Sequence, residues 1–382
     1  MSIGVFDISS LELIFAGALL LAFAYEVYFY IHYMRIRGCF ATRNGTAGIE
    51  TCETRLPVSV IVCARNEGDN LRNYIQSLLT QDYPLFEVII VNDGSEDDTQ
   101  AIIDDYMLTD SRVRTTFVPR GARVRSTKKL GLTLAAKAAR YDYMLLTDAD
   151  CRPESKHWIS AVMAGFEKPE TEVVLGFGAY FVKPTLLNDV IQYETLFNGL
   201  HYLGAAATGK PYMGVGRNLV YRKQMFFEHG GFSDQMTSYA GDDDLFVNKV
   251  ATNTNTVPVC TPESVTWSVP KMSWKEWWQQ KRRHLSVSPA YKSATKHHLV
   301  HEPIMRGLFY GMVIALFVLG EPLSMCLAWA LLVARLIVQL VILNRSARKL
   351  GQPAIGLELM WYDIFQPLVT LAAMAGKKRN KW

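Results

Sequence analysis

The chain has 382 residues, a formal net charge of +4, 49% hydrophobic residues and a mean hydropathy of +0.06. That length exceeds one small core, and the weak positive charge excludes a nucleic-acid binder while fitting contact with anionic lipid or phosphate. The six cysteines form no CxxC pair or Cys/His cluster, which excludes a zinc framework and predicts a reduced, cytosolic domain.

The first element, within residues 1–37, is the run from Leu11 to Met34, "LELIFAGALLLAFAYEVYFYIHYM". It is long enough to cross a bilayer, which takes about 20 apolar residues. No Lys or Arg precedes it, whereas Arg35, Arg37 and Arg43 follow. The positive-inside rule then predicts an integral protein of the cytoplasmic (inner or plasma) membrane, with its N-terminus outside and the next domain in the cytoplasm. A signal peptide would need a basic start and a shorter apolar core. Residues 38–56 are rich in Thr, Gly and charge and read as a linker.

From 57 to 270 short β-rich runs alternate with helix-like stretches, the pattern of an α/β domain with a mainly parallel sheet. "PVSVIVCARNE" is a strand with its loop, followed by a helix over 70–80 and a second strand, "FEVIIVNDGSEDDT". Asp93 ends that strand, Gly94 and Ser95 turn, and Asp97, Asp98 and Thr99 can cap a helix. A third strand in "YMLLTDADCRP" runs into Asp148 and Asp150. In open α/β sheets ligands bind beyond the carboxyl ends of the strands, so these loops should share one crevice. Two carboxylates one residue apart after a strand can both reach a hard divalent cation, Mg2+ or Mn2+, which would hold a diphosphate.

Three later segments also carry candidates. "MGVGRNLVYRK" brings Gly214, Gly216 and Asn218 within five residues, where small residues allow close backbone approach. "YAGDDDLF" offers Asp242 or Asp243 as a base, while Asp242, Asp243 and Asp244 could equally cap a following helix. "KMSWKEWWQQKRRHLS" mixes Trp274, Trp277 and Trp278 with Lys281, Arg282 and Arg283 and predicts an amphipathic helix in the membrane interface, within an interfacial region 271–302.

The apolar runs 307–320 and 323–343, parted by Glu321 and Pro322, read as a transmembrane hairpin within 303–344. Arg335 inside the second run reads as a snorkelling or helix-packed charge. Residues 345–382 hold the polar-interrupted segment 354–375 and a basic tail, "KKRNK", and read as interfacial or re-entrant.

Together, "VSVIVCARNE", "VNDGSEDDT", "TDAD", "GVGRNLVYRK" and "GDDDLF" resemble, in order and spacing, the family 2 glycosyltransferases, a group with chitin, hyaluronan and cellulose synthases and ceramide glucosyltransferases. The resemblance spans residues 57 to about 285 and implies a GT-A fold: a Rossmann-like, mainly parallel sheet flanked by helices, here between N- and C-terminal membrane helices. It implies that Ala64, Arg65, Asn66, Glu67 and Asp93 hold the uridine part of a nucleotide-sugar, with Lys128, Lys129 and Asp148 also on the donor. Asp148 and Asp150 match the DxD metal pair, with Asp150 the direct ligand. The wider group Arg112, Arg114, Arg120, Arg123 and Arg125 reads equally as a solvated, membrane-facing loop.

Gly214, Gly216 and Asn218 match the acceptor segment. Where members read Glu-Asp-x-Asp-Leu, this chain has Gly241, so a gap-free match makes Asp242 the base and a one-residue shift makes it Asp243. Gln280, Arg283 and His284 match the acceptor-closing QxxRW motif with His in place of Trp, which weakens the case for a processive enzyme. The resemblance implies an inverting transfer from a UDP-type sugar to a lipid, lipid-linked or glycan acceptor. Its rivals are a processive polysaccharide synthase and a silent membrane scaffold or sugar-nucleotide sensor.

Overall fold

The computed structural model describes residues 10–36, 56–119, 121–122, 124–236 and 240–375. Most of the linker, Cys39, Cys52, Arg37, Arg43, Arg120, Arg123 and the basic tail lie outside the described residues. The strands are β1 (Val58–Ala64), β2 (Phe86–Asn92), β3 (Val113–Phe117), β4 (Tyr143–Asp148), β5 (Cys151–Pro153), β6 (Val173–Leu175), β7 (Gly178–Tyr180), β8 (Leu219–Arg222), β9 (Thr256–Pro258) and β10 (Thr266–Ser268). The helices are α1 (Ser10–Phe29), α2 (Gly68–Leu79), α3 (Thr99–Thr109), α4 (Thr127–Ala138), α5 (Trp158–Met163), α6 (Leu186–Ala207), α7 (Lys223–Glu228), α8 (Asp244–Val250), α9 (Trp274–Leu285), α10 (Ser293–Leu319), α11 (Pro322–Lys349) and α12 (Leu359–Ala375).

The main sheet has seven strands in the order β3-β2-β1-β4-β8-β6-β9, and a second sheet runs β5-β10-β7. β3, β2, β1 and β4 are parallel, while β8 is antiparallel to both β4 and β6. Continuous runs of Val, Ile and Leu in β1, β2 and β4 suit strands covered on both faces. Side chains alternate between two cores. Val58, Val60, Val62, Val88 and Ile90 join Leu71, Ile75, Ile103 and Trp158 on one side. Ile61, Ile89, Met144 and Leu146 join Leu132, Ala135, Tyr202 and Leu203 on the other.

That second core runs on into the apolar helices, because Phe29, Tyr30, Tyr33, Met34, Ile342 and Leu343 belong to it. α6 meets the Tyr30–Met34 stretch that continues α1 at Gly204, where a Cβ would sit 1.6 Å from the Tyr33 carbonyl oxygen, so only glycine permits the approach.

The helical stretches Ser10–Met34, Ser293–Leu319 and Pro322–Lys349 are long and apolar enough to cross a membrane. α10 begins well before its apolar run: "SATKHHLVHEP" is polar, yet its first turns are helical, supported by the Glu302–Arg306 pair one turn apart. α12 is apolar but only 17 residues long. Between these helices Arg335 is buried and contacts Glu26 at 2.8 Å and, on a second nitrogen, Asp363. Arg306 pairs with Glu302 and lies 3.4 Å from Asp363. Tyr310 donates to Asp363 at 2.6 Å, and Gln339 donates to Asp363 at 2.9 Å and to Tyr30 at 2.8 Å. The Arg335 charge is thus packed between helices rather than snorkelling.

α9 is not laid out freely. Trp274 is exposed, but Trp277 is buried against Leu187 and Ile191 of α6, and Trp278 and Val369 pack on the same cluster. Lys281 is ion-paired with Glu194, which fixes α9 to α6. Cys63, Cys151 and Cys326 are free thiols, but Cys260 is disulfide-bonded, which corrects the expectation of an all-reduced set. Such bonds persist in oxidising compartments and, in hyperthermophiles, inside the cell as well.

Candidate active site

The register of the central strands brings the three predicted loops together. Ala64 is level with Asn92, and Cys63 with Asp148, so β1, β2 and β4 end side by side. The first two loops are tied to each other. Asn66, held at φ +54°, donates its N–H to Ser95 Oγ at 3.0 Å and accepts from the Glu96 N–H at 2.8 Å. The Glu67 N–H donates to Thr99 Oγ1 at 3.0 Å, and the Gly68 N–H to Asp97 Oδ2 at 3.1 Å. Thr99 and Asp97, which the sequence offered as helix caps, therefore also fasten the neighbouring loop.

Asp93 donates its N–H to the Ala64 carbonyl at 2.8 Å, and one of its carboxylate oxygens accepts from Thr127 Oγ1 at 2.6 Å. Burial pushes its carboxyl up, against the pull of Thr127 and Arg65. Arg65 and Asn66 are exposed at the rim, while Glu67 turns inward, its carboxyl raised by burial and by Asp148.

The two lysines part company. Ser126 caps α4 and accepts from the Lys129 N–H at 3.3 Å, which sets the first turn. Successive helical side chains diverge by about 100°, so only one of the two can face the crevice. Lys128 does: its ammonium lies 2.9 Å from Asp148 Oδ1 and 3.3 Å from Asp242 Oδ2. Lys129 is fully buried and donates to the carbonyls of Gln235 and Ala240, both at 2.8 Å. It tethers the loop that leads into Asp242 and does not face the donor loops, a correction to its expected role. Arg112 and Arg114 are likewise structural, paired with Asp110 at 2.6 Å and with buried Glu87 at 2.9 Å.

Asp242, Asp243 and Asp244 have separate tasks. Asp243 is occupied by backbone, accepting from the Gly216 N–H at 2.7 Å and the Asp244 N–H at 2.8 Å. Asp244 is buried and accepts from Tyr291 Oη at 2.8 Å and the Leu245 N–H at 2.7 Å. Burial and the neighbouring Asp243 push its carboxyl up to about 7. Asp242 faces Lys128 across the cleft. Gly241 has φ +88°, and a Cβ there would meet Leu245 Cδ1 at 2.5 Å, so this backbone excludes the family's Glu at that position.

A narrow cleft is bounded by Cys63, Lys128, Thr147, Asp148, Gly216, Asp242 and Asp243. Gly216 is in its wall. Gly214 instead packs against Leu175 and Leu219. Asn218 is also corrected: both its amide N–H groups are used, on the Phe177 carbonyl at 2.8 Å and the Ser264 carbonyl at 2.6 Å, and its oxygen accepts from Trp158. It is fully buried and has no donor left for a sugar.

Asp148, Asp150 and Cys151 present ligand atoms within 4.8 Å of one another. The Cys151 thiol is engaged with Ser268 Oγ at 2.9 Å and is raised far above its ordinary range by burial, so it is no thiolate ligand. Two carboxylates remain, an oxygen set that suits Mg2+ or Mn2+. Burial raises Asp148, but Lys128 and Arg217 more than offset this and hold it below the usual carboxylate range. Burial and the Asp148 charge push Asp150 up to about 6, the repulsion a cation between them would relieve. Among the described residues Asp150 has no lysine partner; one of its oxygens accepts from the Cys151 thiol at 3.6 Å.

Gln280 donates to Tyr180 Oη at 3.0 Å, which locks the start of the QxxRH segment onto β7. Arg283 lies close enough to lower Asp148. His284 lies in the last turn of α9 and is exposed, and partial desolvation by its surroundings and then the charges of Arg283, Arg217 and Lys128 favour its neutral form. Arg217 is a site residue that motif reading passed over, although it stands inside the quoted glycine-rich segment; only the strand register reveals where it goes.

Residues 59–231 match the sequence model of the glycosyl transferase family 2. The chain carries a family 2 glycosyltransferase domain. The chain is 26% identical over 256 residues to the probable glycosyltransferase YdaM of Bacillus subtilis, covering 66% of this chain and 59% of that protein. It is 28% identical over 119 residues to the glycosyltransferase GlyG of Streptococcus pneumoniae, covering 31% of this chain and 38% of that protein. The chain therefore spans only about 38% to 59% of these relatives' lengths. A mannosyltransferase from Pyrobaculum calidifontis, solved with GDP-Man and Mn2+, superposes with a TM-score of 0.56 at 17% identity, covering 90% of this chain and 98% of that one. The chain shares its GT-A fold.

Proposed function

We propose that the protein is a membrane-bound inverting glycosyltransferase that moves one sugar from a nucleotide-sugar, a UDP-sugar on the resemblance of its loops, to a lipid, lipid-linked or glycan acceptor at the cytoplasmic membrane face. The observation that carries this reading is Lys128, 2.9 Å from Asp148 and 3.3 Å from Asp242: one cation stands between the metal-pair carboxylate and the carboxylate suited to act as base. Ala64 to Glu67 and Asp93 would hold the nucleoside. Asp148 and Asp150 would hold Mg2+ or Mn2+, which offsets the charge of the diphosphate.

Asp242 would take the proton of the acceptor hydroxyl as its oxygen bonds to the anomeric carbon and the bond to the diphosphate breaks on the opposite face. Asp243 is unsuited to that role because both its oxygens already accept backbone N–H groups. Gly216, Gln280, Arg283 and His284 form the acceptor side. Arg35, Arg37 and Arg43 after the first apolar helix support the cytoplasmic placement.

A second reading has one observation in its favour. The poly-beta-1,6-N-acetyl-D-glucosamine synthase of Staphylococcus epidermidis is 34% identical over 94 residues, covering 24% of this chain, which favours a polymerising enzyme. His284 in place of the motif's Trp favours single transfer. Purified protein in vesicles of bacterial lipid extract, given radiolabelled UDP- and GDP-sugars, separates the two. Single transfer to lipid predicts label in the organic-extractable fraction at a size of one sugar; label in a high-molecular-weight, glycosidase-sensitive polymer would contradict it.

A further inference from the structure

Arg217 stands beside the DxD carboxylates by strand register. β8 is antiparallel to β4 with Leu219 opposite Leu146, and continuing that register brings Arg217 level with Asp148. Its guanidinium is fixed on its far side. One terminal nitrogen donates to the Ala179 carbonyl at 3.2 Å, the other to the Gly178 carbonyl at 3.0 Å, and the group lies 4.2 Å over the Tyr180 ring. Gln280 of α9 in turn fastens the Tyr180 hydroxyl.

A guanidinium has five N–H donors, and these two bonds leave three. Arg217 is half-buried, yet among the described residues no carboxylate lies within 4.0 Å of it. Lys128, by contrast, is paired with two. A half-buried cation held rigid by backbone and ring, with no counterion in contact, is a preorganised anion site.

We propose that Arg217, oriented by Tyr180, clamps the diphosphate of the donor and stabilises it as it leaves. The inference rests on the transferase reading and assigns within it a residue from the glycine-rich acceptor segment to the donor. Tyr180 is a positioning residue that acts only through the ring beneath the guanidinium.

The test is calorimetric binding of UDP and GDP, with UMP and GMP as controls, to the full chain in detergent with Mg2+. Arg217→Met is expected to weaken the preferred diphosphate about 10- to 100-fold, the range for hydrogen bonds to charged groups, and to change the monophosphate less than about threefold. Arg217→Lys should recover part of the loss, because a point charge lacks the planar fork. Tyr180→Leu should fall toward Arg217→Met, and Tyr180→Phe, which keeps the ring under the guanidinium but loses the Gln280 bond, should recover most of that loss. Unchanged diphosphate affinity in Arg217→Met, or equal loss for mono- and diphosphate in both it and Tyr180→Leu, overturns the clamp while leaving the transferase reading intact. A wild-type protein that binds neither UDP nor GDP overturns both.

Discussion

Asp242→Asn is expected to lower kcat about 10²- to 10⁴-fold, the usual contribution of a positioned general base, with nucleoside diphosphate affinity and melting temperature near wild type. The reason lies in how the three aspartates are used. Among the described residues the ionic partner of the Asp242 carboxylate is the Lys128 ammonium at 3.3 Å, which a neutral amide can still face. Asp243 holds the Gly216 and Asp244 N–H groups, so Asp243→Asn gives up one of these acceptors. That change is expected to cost about 1–3 kcal/mol of stability as well as activity. Steady-state kinetics beside thermal unfolding distinguish the two variants. Wild-type kcat in Asp242→Asn would remove it as the base.

Asp363→Asn should destabilise the helix bundle by about 3–5 kcal/mol, the cost of removing one partner from a buried ion pair. Asp363 is fully buried and faces both Arg335 and Arg306, with Tyr310 and Gln339 also donating to it. Losing its charge leaves two guanidiniums to share Glu26 and Glu302. The effect should reach the α/β domain, because Tyr30, which also receives Gln339, sits in the core shared with the sheet. Leu368→Ala, on the exposed face of the same helix, should stay within about 0.5 kcal/mol. Unfolding in detergent monitored by tryptophan fluorescence reads both; equal midpoints for Asp363→Asn and Leu368→Ala would show that the network is not holding α12.

The strands and their loops were legible because a buried parallel sheet writes continuous β-branched runs, and because Asp93, Asp148 and Asp150 fall at the ends of those runs. What sequence could not resolve was direction. Lys128 and Lys129 look alike in a string but point to different neighbours on a helix, one to the carboxylates and one to the Gln235 and Ala240 carbonyls. Asn218 sits in a glycine-rich motif yet is consumed by Phe177, Ser264 and Trp158.

Gly241, read as a departure from the family pattern, has a physical cause in its positive φ. The bundle network was hidden for another reason: Glu26, Arg306, Arg335 and Asp363 are single polar residues in apolar runs, and packing of four separate helices is what joins them.

The most direct test of the cleft as a donor site is release of nucleoside diphosphate from UDP- and GDP-sugars by protein in lipid vesicles, with and without EDTA, for wild type and Asp150→Ala. The account predicts turnover of a donor by wild type that stops when the metal is removed and falls at least about 10²-fold in Asp150→Ala, because metal-based charge stabilisation is among the largest catalytic contributions. Turnover that survives both EDTA and Asp150→Ala, or no turnover of any donor with membrane extract supplied as acceptor, would contradict it.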